Sequence, residues 1–188
     1  SGTFQSACIA KEMIGFGSIH LVDSKNATAA QGLLVHYAVK MRRQGASAGE
    51  IAEKLREMSD KLVLIAMVDT LKYLKMGGRI SAATAAIGGM LGIKPIIALQ
   101  DGVIQTIGKA KGQKAAIQWM AEKLTSDLIP DPQYGVAFAH SNAPEGVQEL
   151  KSAVLEKISA EEISTSELGS VIGTHGGPGC LGIAFVAQ

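Results

Sequence analysis

The sequence predicts an α/β protein of two α/β domains. The first carries a parallel, doubly wound sheet that is incomplete in this chain; the second carries a mixed sheet with a β-hairpin. Three observations lead there. Apolar runs of strand length alternate with helical stretches through the 188 residues, the pattern of stacked α/β layers. Gly is frequent, at 22 residues, and aromatics make up only 4%, which suits close backbone approaches better than an aromatic sandwich core. Asp101-Gly102 stands between two apolar stretches, a strong two-residue hairpin signal, and a hairpin among alternating helices makes the second sheet mixed.

The elements follow in order. Residues 4–14 read as a helix with Ala7, Ile9, Ala10 and Met13 apolar. Ile19 to Val22 reads as a short strand entering Asp23-Ser24, a polar βα loop of the kind where ligands sit in open α/β sheets. Residues 27–43 form a helix, with Ala30, Leu33, Leu34, Tyr37, Ala38 and Met41 at helical spacing and Gly45 ending it. Ser47 and Glu50 make a capping box for the next helix, whose apolar face is Ile51, Leu55, Met58 and Leu62. Leu62 to Val68 is a continuous apolar run suited to a buried parallel strand. A helix begins at residues 70–76 and breaks at Gly77-Gly78-Arg79, and a helix of small residues follows from Ile80 to Leu91. The domain boundary is expected here, giving residues 1–70 to the amino-terminal domain and 71–188 to the carboxy-terminal one.

Ile93–Leu99 and Val103–Ile107 are the hairpin strands, and residues 112–126 a helix bearing Ala116, Trp119, Met120 and Leu124. Tyr134–His140 is a strand. Asn142, Pro144 and Glu145 mark a helix start, with Val147, Leu150, Val154 and Ile158 as the buried stripe. Ser170–Ile172 reads as strand, then a Gly/Pro-rich loop runs through Gly179, and Leu181–Val186 is the last strand.

Composition narrows the function classes. A net charge of +1 and no basic stripe argue against nucleic acid as partner. No run of 18 apolar residues exists to span a membrane, and no signal peptide is evident. Cys8 and Cys180 lack metal-ligand spacing and suit small core residues in a reducing cytoplasm, the expected location. The chain opens at Ser1 without a methionine, so a fragment of a longer protein is expected. No cofactor and no metal are expected. There is no GxxxxGK[ST], HExxH or GxSxG motif, and no Asp/Glu pair at helical spacing joins the candidate residues. The expected role is binding, with no catalytic residue.

Three clusters carry candidate chemistry. Ser1-Gly2-Thr3 offers hydroxyls and free amides at a helix start, which serve either an anion or plain N-capping. Gly77-Gly78-Arg79 sets a guanidinium on a tight turn, either at a carboxylate or phosphate or beside a helix C-cap. Gly173-Thr174-His175-Gly176-Gly177-Pro178-Gly179 holds a histidine in a special backbone path. His175 is a better candidate than His20, His36 or His140, which sit in expected regular elements. Arg and His donors with Ser and Thr hydroxyls form an anion-binding set.

Leu71-Lys72-Tyr73-Leu74-Lys75-Met76-Gly77-Gly78-Arg79-Ile80-Ser81, then Leu91-Gly92-Ile93-Lys94-Pro95-Ile96 and the Asp101-Gly102 hairpin, resemble the DegV family. So do Ser1-Gly2-Thr3-Phe4-Gln5-Ser6-Ala7, Val22-Asp23-Ser24 and the terminal Ile172–Gly179 stretch, in the family's order across almost the whole chain. The resemblance implies two domains with a long-chain fatty acid buried between them. It implies that the carboxylate is bound by Ser1, with His175 in the polar network and Arg79 near the head group and the partner-facing surface. Gly2, Thr3, Thr174, Ile80 and Met90 are then secondary ligand or pocket residues. Some members present the fatty acid to a separate ATP-dependent kinase, which phosphorylates the carboxyl group. A basic position after the hairpin, usually Arg in the family, is here Lys111, which keeps charge without bidentate geometry. Membrane contact is expected only for lipid exchange. Burying about 15 methylenes is worth roughly 12 kcal/mol gross, and the carboxylate needs paired donors to be tolerated. Two other classes stand beside this one: an acyl-ester hydrolase or transferase using Ser1 or Ser24 with His175, and a structural or regulatory fragment without ligand.

Overall fold

The computed structural model describes residues 1–15, 17–80, 91–100 and 102–188. The small-residue helix expected from Ile80 to Leu91, Met90 with it, and Asp101 of the hairpin lie almost wholly or wholly outside the described residues. Helix α1 (Gly2–Ile14) opens the chain and ends on Gly15, at φ 67°. Helices α2 (Thr28–Arg43) and α3 (Ala48–Asp60) follow, then strand β1 (Leu62–Met67) and the short helix α4 (Lys72–Met76). After them come β2 (Ile93–Gln100), β3 (Val103–Lys111), α5 (Gln113–Ser126), β4 (Val136–His140) and α6 (Pro144–Leu155). The last elements are β5 (Glu162–Glu167), α7 (Ser170–Gly176) and β6 (Leu181–Val186).

The described strands form one six-stranded mixed sheet in the order β3-β2-β1-β6-β4-β5. Residue 70 falls between β1 and α4, and strands from both sides of it share this sheet. The parallel pairing expected for residues 62–68 is corrected: β1 is antiparallel to both β2 and β6. Its unbroken apolar run reflects burial on both faces, which a central antiparallel strand shares with a parallel one. The one parallel pair among the described strands is β4 with β5, joined through α6. The hairpin stands as read: Gln100 pairs with Val103, and Gly102 takes φ 76°.

Side chains alternate across the pleat, so the sheet has two apolar faces. On one, Ile65, Met67, Phe138, Ile183 and Phe185 meet Met120 and Leu124 of α5 and Leu150 and Val154 of α6. On the other, Ala137, Ala139 and Ala184 lie under Ala30, Leu33 and Leu34 of α2, with Met58 of α3 beside them. Small strand residues on that face let α2 come close. The capping box at α3 forms as expected: Glu50 N–H donates to Ser47 Oγ, and Ser47 N–H donates to Glu50 Oε2 at 2.8 Å.

Three local expectations change. Residues 19–22 are not a strand; the Leu21 carbonyl accepts from Arg56 Nη2 at 3.1 Å, a side chain in place of a ladder. Residues 170–172 open helix α7, because Gly169 and Ser170 carbonyls accept from Gly173 N–H and Thr174 Oγ1, local bonds that outweigh β-branched propensity. Asn142, read as part of the helix start, lies just outside α6. It sits one residue before the cap at φ 47°, Ala143 holds the cap position, and Pro144 lies in the first turn.

Candidate functional site

The carboxyl ends of β1 and β4 flank the start of β6, and three connections gather at that edge of the sheet. The β1 connection carries Asp69 and α4, the β4 connection carries Ser141, and α7 with its glycine-rich exit leads into β6. Backbone bonds tie them. Gly179 N–H donates to the Ser141 carbonyl at 2.7 Å, Ser141 N–H to the Cys180 carbonyl at 2.9 Å, and Leu168 N–H to the His140 carbonyl at 2.7 Å. Asp69 is ion-paired with Lys94 of β2 and sits against Gly179, at φ 78°.

Helix α4 ends in a Schellman motif. Gly78 takes φ 66°, its N–H donates to the Lys75 carbonyl, and Arg79 N–H donates to the Leu74 carbonyl at 2.9 Å. The GGR turn is therefore a helix C-cap, the local alternative read from the sequence. The exposed Arg79 side chain folds back, with Nη1 donating to the Gly77 carbonyl at 2.9 Å.

Two glycines and two rings join α4 to α7. A Cβ on Gly77 would stand 2.0 Å from His175 Nδ1 and 2.5 Å from Cε1. A Cβ on Gly177, at φ 73°, would stand 2.2 Å from Tyr73 Cδ2. So the imidazole of α7 fills the gap left on α4, and the phenol ring of α4 fills the gap left after α7. Tyr73 and Gly77 are four residues apart and share one helix face. His175 Nδ1 is buried and has no hydrogen-bond partner among the described residues. Asp69 and Ser141 have no role in the sequence reading, while Tyr73, Gly77 and Gly177 enter it only as motif and turn residues, without this pairing. Only the i, i+4 spacing of Tyr73 and Gly77 hints at it, since ring and gap meet across helices distant in sequence.

Of the other predicted residues, Thr174 lies beside His175 on α7, and the other described ones lie at the start of α1, beyond the α4 turn or at the end of β3. Ser1 is exposed and caps α1, its Oγ accepting from Phe4 N–H at 3.4 Å. Gly2 and Thr3 are exposed on α1, and Thr174 is exposed, with Oγ1 donating to the Ser170 carbonyl at 2.7 Å. Ile80 is half-buried beyond the turn, and Lys111 is exposed at the end of β3. Ser24 Oγ donates to the Asn26 carbonyl at 3.1 Å. Among the described residues neither Ser1 nor Ser24 bonds His175, so the nucleophile–base contact a hydrolase needs is not formed. Burial pushes the Cys180 thiol up to about 12, which keeps it protonated. Among the described residues no cluster of His, Cys, Asp and Glu could hold a metal ion, and no helix is long and apolar enough to cross a membrane. A separate open groove of about 700 Å³ lies at the opposite end of the sheet, lined in part by Asn26, Leu62, Trp119 and Gln188.

Comparison with known proteins gives one family. The model described as "Uncharacterised protein, DegV family" matches residues 1–188. A DegV domain-containing protein of Caldanaerobacter subterraneus, TTE1491, is 36% identical over 185 residues, covering 98% of this chain and 66% of the relative. The chain thus spans about two thirds of the length of the curated relatives it matches. Among solved structures, one described as fatty acid binding of a DegV family protein from Thermus thermophilus is 30% identical, with a TM-score of 0.88 over 100% of this chain and 67% of its own. A DegV lipid binding protein from Thermotoga maritima is 29% identical, with a TM-score of 0.87 over 100% of this chain and 65% of its own.

Proposed function

The chain belongs to the DegV family, and from that premise we propose that it is part of a non-catalytic carrier that binds a long-chain fatty acid, with its carboxylate at the α4–α7 edge. The observation that carries this is the whole-chain likeness, at 30% identity, to the Thermus thermophilus protein described by its fatty acid binding. The local chemistry supports it. Among the described residues His175 is held by a ring-in-gap contact and Nδ1 has no polar partner, which supports its other ring nitrogen as a donor to a carboxylate. A buried carboxylate is tolerated only with such donors. Ser1 is proposed as a second donor, with Gly2 and Thr3 beside it and the ligand lying between two α/β domains. Arg79 and Lys111, both exposed, are proposed to face an ATP-dependent kinase that phosphorylates the bound fatty acid. The phosphoryl chemistry then belongs to the kinase, and the carrier needs no cofactor.

Mass spectrometry of an organic extract of the purified protein tests this reading. A stoichiometric long-chain fatty acid supports it. No lipid in the extract, and none retained after oleate is added back, sinks it.

A further inference from the structure

We propose that Gly77 is a positioning residue for His175, fixing both the place of the imidazole and the nitrogen that carries its proton. This rests on the reading of His175 as a carboxylate donor. The imidazole stands where a side chain at residue 77 would be, 2.0 Å from the Cβ position at Nδ1. The glycine Cα–H that a side chain would replace therefore points toward Nδ1. A bare ring nitrogen accepts such a contact weakly. An N–H there would be buried with no acceptor among the described residues, where Nδ1 has no hydrogen-bond partner, and an unmade buried donor bond is expensive. The neutral ring thus carries its proton on Nε2. The residue as a whole is half-buried, and with Nδ1 on the closed side, Nε2–H is the donor a ligand carboxylate meets.

The second ring-in-gap contact steadies the first. Tyr73 lies against Gly177, two residues after His175, while Gly77 lies four residues after Tyr73 on the same helix face. Neither helix slides along the other without driving a ring into a backbone. Thr174 Oγ1, bonded to the Ser170 carbonyl at 2.7 Å, and Gly177 N–H, bonded to the Gly173 carbonyl at 2.8 Å, close the turn that carries the imidazole.

Two measurements test this. Long-range ¹H–¹⁵N correlation spectra of the protein without added lipid, above the imidazole titration, should show a pyridine-type Nδ1 and a pyrrole-type Nε2 for His175. A proton on Nδ1 overturns the assignment. Oleate binding is then measured for Gly77→Ala, His175→Ala and the double variant. Gly77→Ala should weaken binding about tenfold to a hundredfold when His175 is present, and should change it by less than about twofold in the His175→Ala background. Equal losses in both backgrounds mean that Gly77 acts through the backbone, and overturn the positioning role. If Gly77→Ala alone does not fold, Gly77→Ala/His175→Ala should, because the clashing ring is gone; a double variant that also fails to fold overturns the proposal. If the unsubstituted protein does not bind oleate, the fatty-acid reading fails, while the spectra still decide the tautomer and its disturbance by Gly77→Ala.

Discussion

Helix α1 and the α4–α7 edge are made from similar residues, glycines with hydroxyls and a few apolar side chains, and the rest of the chain treats them differently. None of the thirteen residues of α1 is buried, and Met13 is 82% exposed. Its polar start is satisfied within the helix by the Ser1 cap. At the α4–α7 edge, Gly77 and Gly177 are each matched to a ring from the other helix, and backbone bonds from Ser141 and Cys180 fasten the exit loop. A motif that completes itself locally says little about its neighbours. A glycine whose missing side chain is filled from across the fold reports a tertiary contact, and that contact is what gives a nearby histidine a defined position.

The strongest way to break this contrast is Gly177→Ala. It places a Cβ at φ 73° and 2.2 Å from the Tyr73 ring. Left-handed strain and forced overpacking together should cost about 2–5 kcal/mol, read from the midpoint of urea unfolding. Adding Tyr73→Ala should recover the steric part and leave the backbone part. A loss below about 1 kcal/mol would mean that the two helices are loosely apposed and the interlock carries no weight.

His175→Ala removes the proposed donor and should weaken oleate binding by about 1.5–3 kcal/mol, roughly tenfold to a hundredfold by isothermal titration. Its effect on folding should be smaller than that of Gly177→Ala, since the imidazole leaves a gap and forms no hydrogen bond of its own among the described residues. Unchanged affinity would remove His175 from the site and leave the ring-in-gap contact as packing alone.

These two residues also show what the sequence made legible. Periodicity located α2, α3, α5 and α6, and the capping box at Ser47 and the Gly102 turn appear where local chemistry demands them. Those signals are short-range. The strand β5 was passed over because Ile163 is its single apolar side chain in a polar edge segment. Helix α7 read as strand because Val171 and Ile172 favour extended backbone, and the bonds that hold it helical come from Gly169 and Ser170 carbonyls. The direction of β1 was misread because an apolar run reports burial and not the direction of its neighbours. His175 could be singled out from its glycine-rich setting. Gly77 stands out as part of the Gly77-Gly78-Arg79 turn, but its pairing with His175 does not, since nothing local couples residues almost a hundred positions apart.

Arg79→Ala sharpens the comparison at the surface. Its guanidinium is exposed and bonded only to the nearby Gly77 carbonyl among the described residues. Removing it should change oleate affinity by less than about 0.5 kcal/mol, as for other exposed charges. Kinase-dependent phosphorylation of the bound fatty acid should fall by about 1–2 kcal/mol in transition-state terms, the effect of losing a rim charge that orients a partner. Equal loss of binding and phosphorylation would move Arg79 from the partner surface to the carboxylate.

Ser1→Ala has the smallest expected effect and separates the two regions most cleanly. The cap it removes is long, at 3.4 Å, on a helix with no buried residue, so thermal unfolding should register about 0.5 kcal/mol or less, the low end for an N-cap. Oleate affinity should fall by about 1 kcal/mol, roughly fivefold, if Ser1 is one of the proposed donors to the carboxylate. A loss of affinity without a loss of stability would make α1 a part of the site through the ligand alone, its hydroxyl idle until a carboxylate bridges it to the α4–α7 edge. Unchanged affinity would leave α1 a capped helix and nothing more, and would leave His175, set where the gaps at Gly77 and Gly177 are filled from across the fold, as the proposed head-group donor of this chain.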